Sequence, residues 1–264
     1  MPPDDTVYVH LHVPKCAGTS LNKLMKRRFG DRVLTGDDPA KVAAFEAMSN
    51  AERDAAYDCV AGHFPWGVHE KFGRPVRTFS VVREPVSRVC SYFNFLHLWR
   101  QHPSHEMMAR TLTDLSDLTP EWLRGRPGLR QQWSNFACRA YAGRGVNADT
   151  YGAAERQVVD AMRDGRLVVG PLQLVVDWLR EEGVIGPDDA PGHDNRSRDH
   201  PVTSAFVWAS PETLSPRAHA LIARRNRLDA ALLEAIGWTN FVLGRAERPA
   251  DAGVVEGAQR REAA

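Results

Sequence analysis

The chain has 264 residues, of which 34 are basic and 33 acidic, for a formal net charge of +1 at pH 7, and 43% are hydrophobic. That balance points to neither nucleic acid nor an anionic membrane surface as a partner, and no apolar run approaches the roughly 20 residues that span a bilayer. Four widely spaced cysteines (Cys16, Cys59, Cys90, Cys138) without a CxxC pair argue against a zinc site or a disulfide framework.

The opening stretch MPPDDTVYV lacks a basic region followed by an apolar one, so no secretory signal is expected, and a cytoplasmic protein with reduced thiols is. VYVHLHV (7–13) is a β-branched and aromatic run ending at Pro14, which predicts a strand. A helix should follow, capped by Thr19 or Ser20, with Leu21, Leu24, Met25 and Phe29 on its apolar face. Alanine-rich spacing over 39–57 predicts a second helix. DCVAGH (58–63) and VRTFSVV (76–82) predict buried strands, and PVSRVCSYFNFLHLW (85–99) a helix with proline in its first turn.

Residues 100–150 read as irregular, with helical pieces near 106–116 and 130–142. A helix near 151–164, a strand at 166–172, a helix at about 173–182, a polar loop at 186–204 and helices over 211–236 follow. Residues 245–264 are small and polar, and are expected to be a disordered tail. Strands alternating with helices imply one α/β domain over 1–244 with a mainly parallel sheet, which places ligands at the carboxyl ends of its strands.

HVPKCAGTS (12–20) lies at one such end. A strand turning sharply into a helix offers backbone N–H groups and the positive end of the helix dipole. Gly18 keeps side-chain bulk away, Thr19 and Ser20 add hydroxyls, and Lys15 adds a charge. That lysine is one of only five in the chain. Taken alone, the loop reads equally well as a tight turn with a helix cap. It is not a Walker A loop, in which lysine directly precedes the magnesium-binding Ser/Thr. A cysteine phosphatase would need an arginine six residues after Cys16, where Asn22 stands, so Cys16 reads as a small packing residue.

VVREPVSRVCS (81–91) lies at a second strand end. An arginine grips phosphate in bidentate fashion and a serine hydroxyl adds a further bond, so Arg83 and Ser91 pair with the first loop as a second anion site. Arg83 by itself is more often a salt-bridge partner.

HVPKCAGTS together with VVREPVSRVCS resembles the paired 5′-phosphosulfate and 3′-phosphate motifs of PAPS-dependent sulfotransferases, in particular the branch of carbohydrate 2-O-sulfotransferases and their bacterial relatives. The resemblance continues through AGHFPWGVH (61–69), NFACRAYAG (135–143), LVVGPLQ (167–173), DNRS (194–197) and NRLDAALL (226–233). It implies a P-loop-like three-layer α/β/α fold with extra helices. It further implies transfer of a sulfuryl group from PAPS (3′-phosphoadenosine 5′-phosphosulfate) to a hydroxyl on a small molecule or carbohydrate, with no metal.

By this resemblance Lys15 stabilises the leaving group and Ala17, Gly18, Thr19 and Ser20 surround the 5′ phosphate. Arg83 and Ser91 hold the 3′ phosphate, Asn195, Arg196 and Ser197 close over the nucleotide, and His63 is the general base. The sequence departs from the family at His12, where some relatives carry an arginine. His10 and His12 have an i, i+2 metal-ligand spacing without an evident third ligand, which favours a structural role. His97, His102 and His105 are expected at the acceptor cleft or the surface, within an acceptor-facing region of about 97–150. Phe64, Trp66, Trp99, Trp122 and Trp133 either stack on an acceptor or pack. The competing readings are a P-loop-like nucleotide kinase and a nucleotide-binding protein without catalysis.

Overall fold

The structure is a computed structural model that describes residues 5–142, 148–192 and 205–237. Five strands form one parallel sheet: β1 (Val7–Leu11), β2 (Val33–Thr35), β3 (Cys59–Gly62), β4 (Val76–Val81) and β5 (Leu167–Gly170), in the order β2-β3-β1-β4-β5. The helices are α1 (Gly18–Phe29), α2 (Pro39–Ala47), α3 (Asn50–Ala56), α4 (Pro85–Leu98), α5 (His105–Thr111), α6 (Pro120–Arg124), α7 (Pro127–Gln132), α8 (Phe136–Ala142), α9 (Ala148–Arg163), α10 (Leu172–Glu181), α11 (Pro216–Arg225) and α12 (Arg227–Ala235).

All five β1 residues are buried, as a central parallel strand covered on both faces requires. Side chains alternate across it. Tyr8 stacks on Phe29 of α1 and meets Trp178 of α10, and His10 faces Asn22 of α1. On the other face Tyr141 of α8 donates to Ser80 Oγ at 2.8 Å, and Ser80 donates to the Leu11 carbonyl at 2.6 Å. The expected three-layer α/β arrangement is therefore present. Leu21, Leu24 and Met25 hold α1 on the sheet, each burial being worth about 1.5–3 kcal/mol.

Three local expectations fail. Thr19 and Ser20 lie inside the first turn of α1, and the N-cap is Ala17, which offers no side-chain bond. The single helix over 39–57 is two helices. Met48 is extended, and Ser49 opens α3 through a capping box with Glu52. β2 has no counterpart in the sequence reading: three residues are too few to show a period, and β2 exists because β3 pairs with it. The tail 245–264 lies outside the described residues, as do Asn195, Arg196 and Ser197.

Neighbouring strands β4 and β5 are separated by residues 82–166, much of which builds a second apolar core. Val89, Phe93 and Leu96 of α4 meet Met108, Leu115 and Trp133 there. The two family-like segments near 135 and 226 hold each other by exchanging helix caps. Asp229 accepts from Ala137 N (3.1 Å) and Cys138 N (2.9 Å), and Asn226 accepts from Asn135 N (3.0 Å). In return, Asn135 accepts from Leu228 N at 3.1 Å.

Candidate active site

The ends of β1, β3 and β4 bring Lys15, Gly18, His63 and Arg83 to one edge of the sheet. After β1 the chain passes Pro14 and turns with Lys15 at φ 67° and Ala17 at φ 62°, both left-handed without being glycine. Each costs of order 1 kcal/mol or more, a strain the surrounding fold holds in place. The turn starts α1 at Gly18 with no side chain capping its N-terminus, so its first N–H groups remain suited to an anion.

Lys15 is partly buried. Its Nζ sits 4.2 Å above the Phe95 ring, and burial, followed by the nearby Arg83 charge, holds its pKa down to about 8. Arg83 itself is exposed after β4, and among the described residues it has no ion-pair partner. Beside it, Glu84 accepts from Val86 N (2.8 Å) and Ser87 N (2.6 Å), so the N-terminus of α4 carries its own carboxylate. Ser91 is half-buried on α4, and Phe95 lies one turn further on. Phe95 escaped the sequence reading, although its i+4 spacing from Ser91 was the available signal. Arg88 also escaped it. This side chain is 1% exposed, gives one bond to the Gln132 carbonyl at 2.9 Å, and leaves Nε and Nη1 unpartnered among the described residues.

Cys16 is buried, with its thiol pushed up to about 12 by desolvation, which suits packing and not nucleophilic attack. Gly18 is required by the fold itself, because the space its β-carbon would fill is taken by the His12 ring.

His63 follows β3 and is exposed. Its Nδ1 lies 2.8 Å from the His12 carbonyl oxygen. A carbonyl only accepts, so Nδ1 carries a proton, and in the neutral ring Nε2 is then the nitrogen with the lone pair. The close approach of Gly62 to Gly36 lets the ends of β3 and β2 meet here, since a β-carbon on Gly62 would lie 2.8 Å from Gly36 N. His10 donates from Nδ1 to Asn22 Oδ1 at 2.7 Å. Desolvation lowers the pKa of His10 to about 4 and that of His12 to about 2, so both are neutral. Among the described residues no group of three or more His, Cys, Asp or Glu is arranged to hold a metal ion. No described helix is long and apolar enough to cross a membrane.

The remaining aromatic residues divide clearly. Trp133 is buried and stacks on Trp122 at 5.8 Å, and Trp66 packs on His69 and Tyr141. Trp99, by contrast, is 47% exposed and leans on Phe95, one ring removed from Lys15. His97 corrects the expectation of an acceptor-facing or surface residue, because it is fully buried and bonded to the Leu112 carbonyl. His105 is likewise tied to the Leu96 carbonyl.

No curated protein matches the chain. Residues 3–125, which include both anion loops and His63, match the model of the Sulfotransferase family. The matched stretch is just under half of the chain, and it likens this part to a family named for sulfuryl transfer.

Proposed function

We propose that the protein transfers a sulfuryl group from PAPS to a hydroxyl of a small molecule or carbohydrate, as in the carbohydrate 2-O branch. The observation that carries this reading is the pair of unlike anion sites on neighbouring strands. An uncapped helix N-terminus with Lys15 follows β1, and an exposed Arg83 beside an already capped helix follows β4. The N–H groups of Gly18, Thr19 and Ser20, next to Ala17, suit a 5′ phosphate. Arg83 and Ser91 suit a phosphate on the ribose, and Asn195, Arg196 and Ser197 are assigned to cover the nucleotide.

PAPS supplies an activated sulfuryl group on a phosphate leaving group. Lys15 places a desolvated ammonium where that group gathers charge, which is worth more there than in water. His63 takes the acceptor proton at Nε2, the nitrogen its hydrogen bond leaves free. Lys15 and Arg83 supply positive charge, so the reading needs no metal ligands.

The test is calorimetric titration of the chain in EDTA with 3′,5′-bisphosphorylated adenosine, ATP and AMP. Tight metal-free binding of the first, lost in Arg83→Ala, is expected. Magnesium-dependent binding of ATP in its place would promote the kinase reading. His63→Ala should keep nucleotide affinity and lower transfer by about 10²–10⁴-fold.

A further inference from the structure

We infer that His12 is a positioning residue for His63. The base role of His63 rests on the sulfotransferase reading; the placement of the two rings does not.

Four rings form one column across three adjacent strands. Phe79 of β4 stacks on His10 of β1 at 5.0 Å, His10 on His12 at 5.6 Å, and His12 on His63 at 4.2 Å, with interplanar angles of 8°, 14° and 22°. The column begins at a fully buried ring and ends at an exposed one. Three contacts fix its members. Asn22 holds His10, the bare backbone of Gly18 leaves room for the His12 ring, and the His12 carbonyl takes the His63 Nδ1 proton.

His12 therefore holds His63 twice, by its carbonyl in the ring plane and by its imidazole on the ring face. In-plane bonding alone leaves the ring free to tilt about the Nδ1–O line, and the stack removes that freedom. An arginine in the same slot would bring charge but no second imidazole. Burial, followed by His63, His10 and Lys15 nearby, keeps the His12 ring uncharged, so it orients its neighbour without repelling it.

The test uses the full chain labelled with ¹⁵N-histidine and long-range ¹H–¹⁵N spectra at alkaline pH, with the His63 signals assigned by their loss in His63→Ala. In the wild type His63 should be held as the Nδ1–H tautomer. His12→Phe, which keeps a flat ring, should preserve that state. His12→Leu fills the volume without stacking and should raise the Nε2–H population at least several-fold. Gly18→Ala displaces the His12 ring and should do the same. An Nε2–H tautomer in the wild type, a finding that needs no variant to fold, overturns the inference. So does a His12→Leu spectrum indistinguishable from wild type. Failure of the wild type to bind 3′,5′-bisphosphorylated adenosine would remove the sulfotransferase reading while leaving the tautomer result to stand by itself.

Discussion

The connection from β1 to α1 and the connection from β4 to α4 solve the same problem in opposite ways. Each leaves the carboxyl end of a central strand and enters a helix. The first is bent through two left-handed non-glycine residues and leaves the α1 N-terminus without a side-chain cap. The second uses Pro85 at the first helical turn and Glu84 as an internal cap, so the helix has no vacancy for another anion. On the proposed function, one site would recognise an anion mainly by backbone and the other by side chains. That difference suits a ligand whose two phosphates are not equivalent, one bonded to the transferred group and one serving only as a handle.

The largest expected effect bears on the first connection. Lys15→Ala should reduce turnover by about 10²–10³-fold with any acceptor that supports transfer, while nucleotide affinity falls by less than about ten-fold. Equal losses in a kcat and Kd comparison would make the loop a binding device only, and the contrast with the second site would blur. Next, Arg83→Ala should weaken 3′,5′-bisphosphorylated adenosine by about 10–100-fold and leave AMP within about two-fold, as a charge-assisted contact to one phosphate predicts. Calorimetry with both nucleotides reads this directly, and parallel losses would show that the two sites are not separable.

A third, smaller effect depends on pH. The Lys15 pKa is held near 8, so above that value the free protein must take up a proton to meet an anion with a charged lysine. Affinity for the bisphosphate should therefore fall as pH rises through about 8, by at most about ten-fold per unit. Lys15→Arg should flatten that slope, since guanidinium stays charged throughout. The smallest effect belongs to Glu84→Ala. Loss of the α4 cap should cost about 1 kcal/mol, or about 2–4 °C in Tm for a chain of this size, while AMP affinity stays unchanged.

The placement of the two loops was legible because each sits in a short contiguous run at a strand end. A β-branched stretch closed by Pro14, and another closed by Arg83, mark where a parallel sheet offers its ligands. The misreadings have local physical causes. An alanine-rich pattern hid the Ser49–Glu52 box, although its S-x-x-E signature is written in the chain. Thr19 and Ser20 looked like caps because nothing in the letters Lys-Cys-Ala announces two left-handed residues. The ring column could not be read at all. Phe79, His10, His12 and His63 become neighbours only once β4, β1 and β3 lie side by side, and strand order is a property of the whole sheet.

The long excursion between β4 and β5 carries a consequence for how such a protein diversifies. These strands pair in register from Thr78–Leu167 to Val81–Gly170. Helices α4 to α7 between them lean on a core of their own, while α8 and α9 pack on the sheet. Lengthening the excursion adds only a slowly growing loop-closure cost. From the end of α4 to α7 the excursion can be rebuilt or exchanged without disturbing the strand pairs that set the loops, whereas α8, tied to β4 through Tyr141 and Ser80, stays with the sheet. The exposed Trp99 stands near the start of that exchangeable part, and on the proposed function it is a position at which one scaffold could come to serve different acceptors.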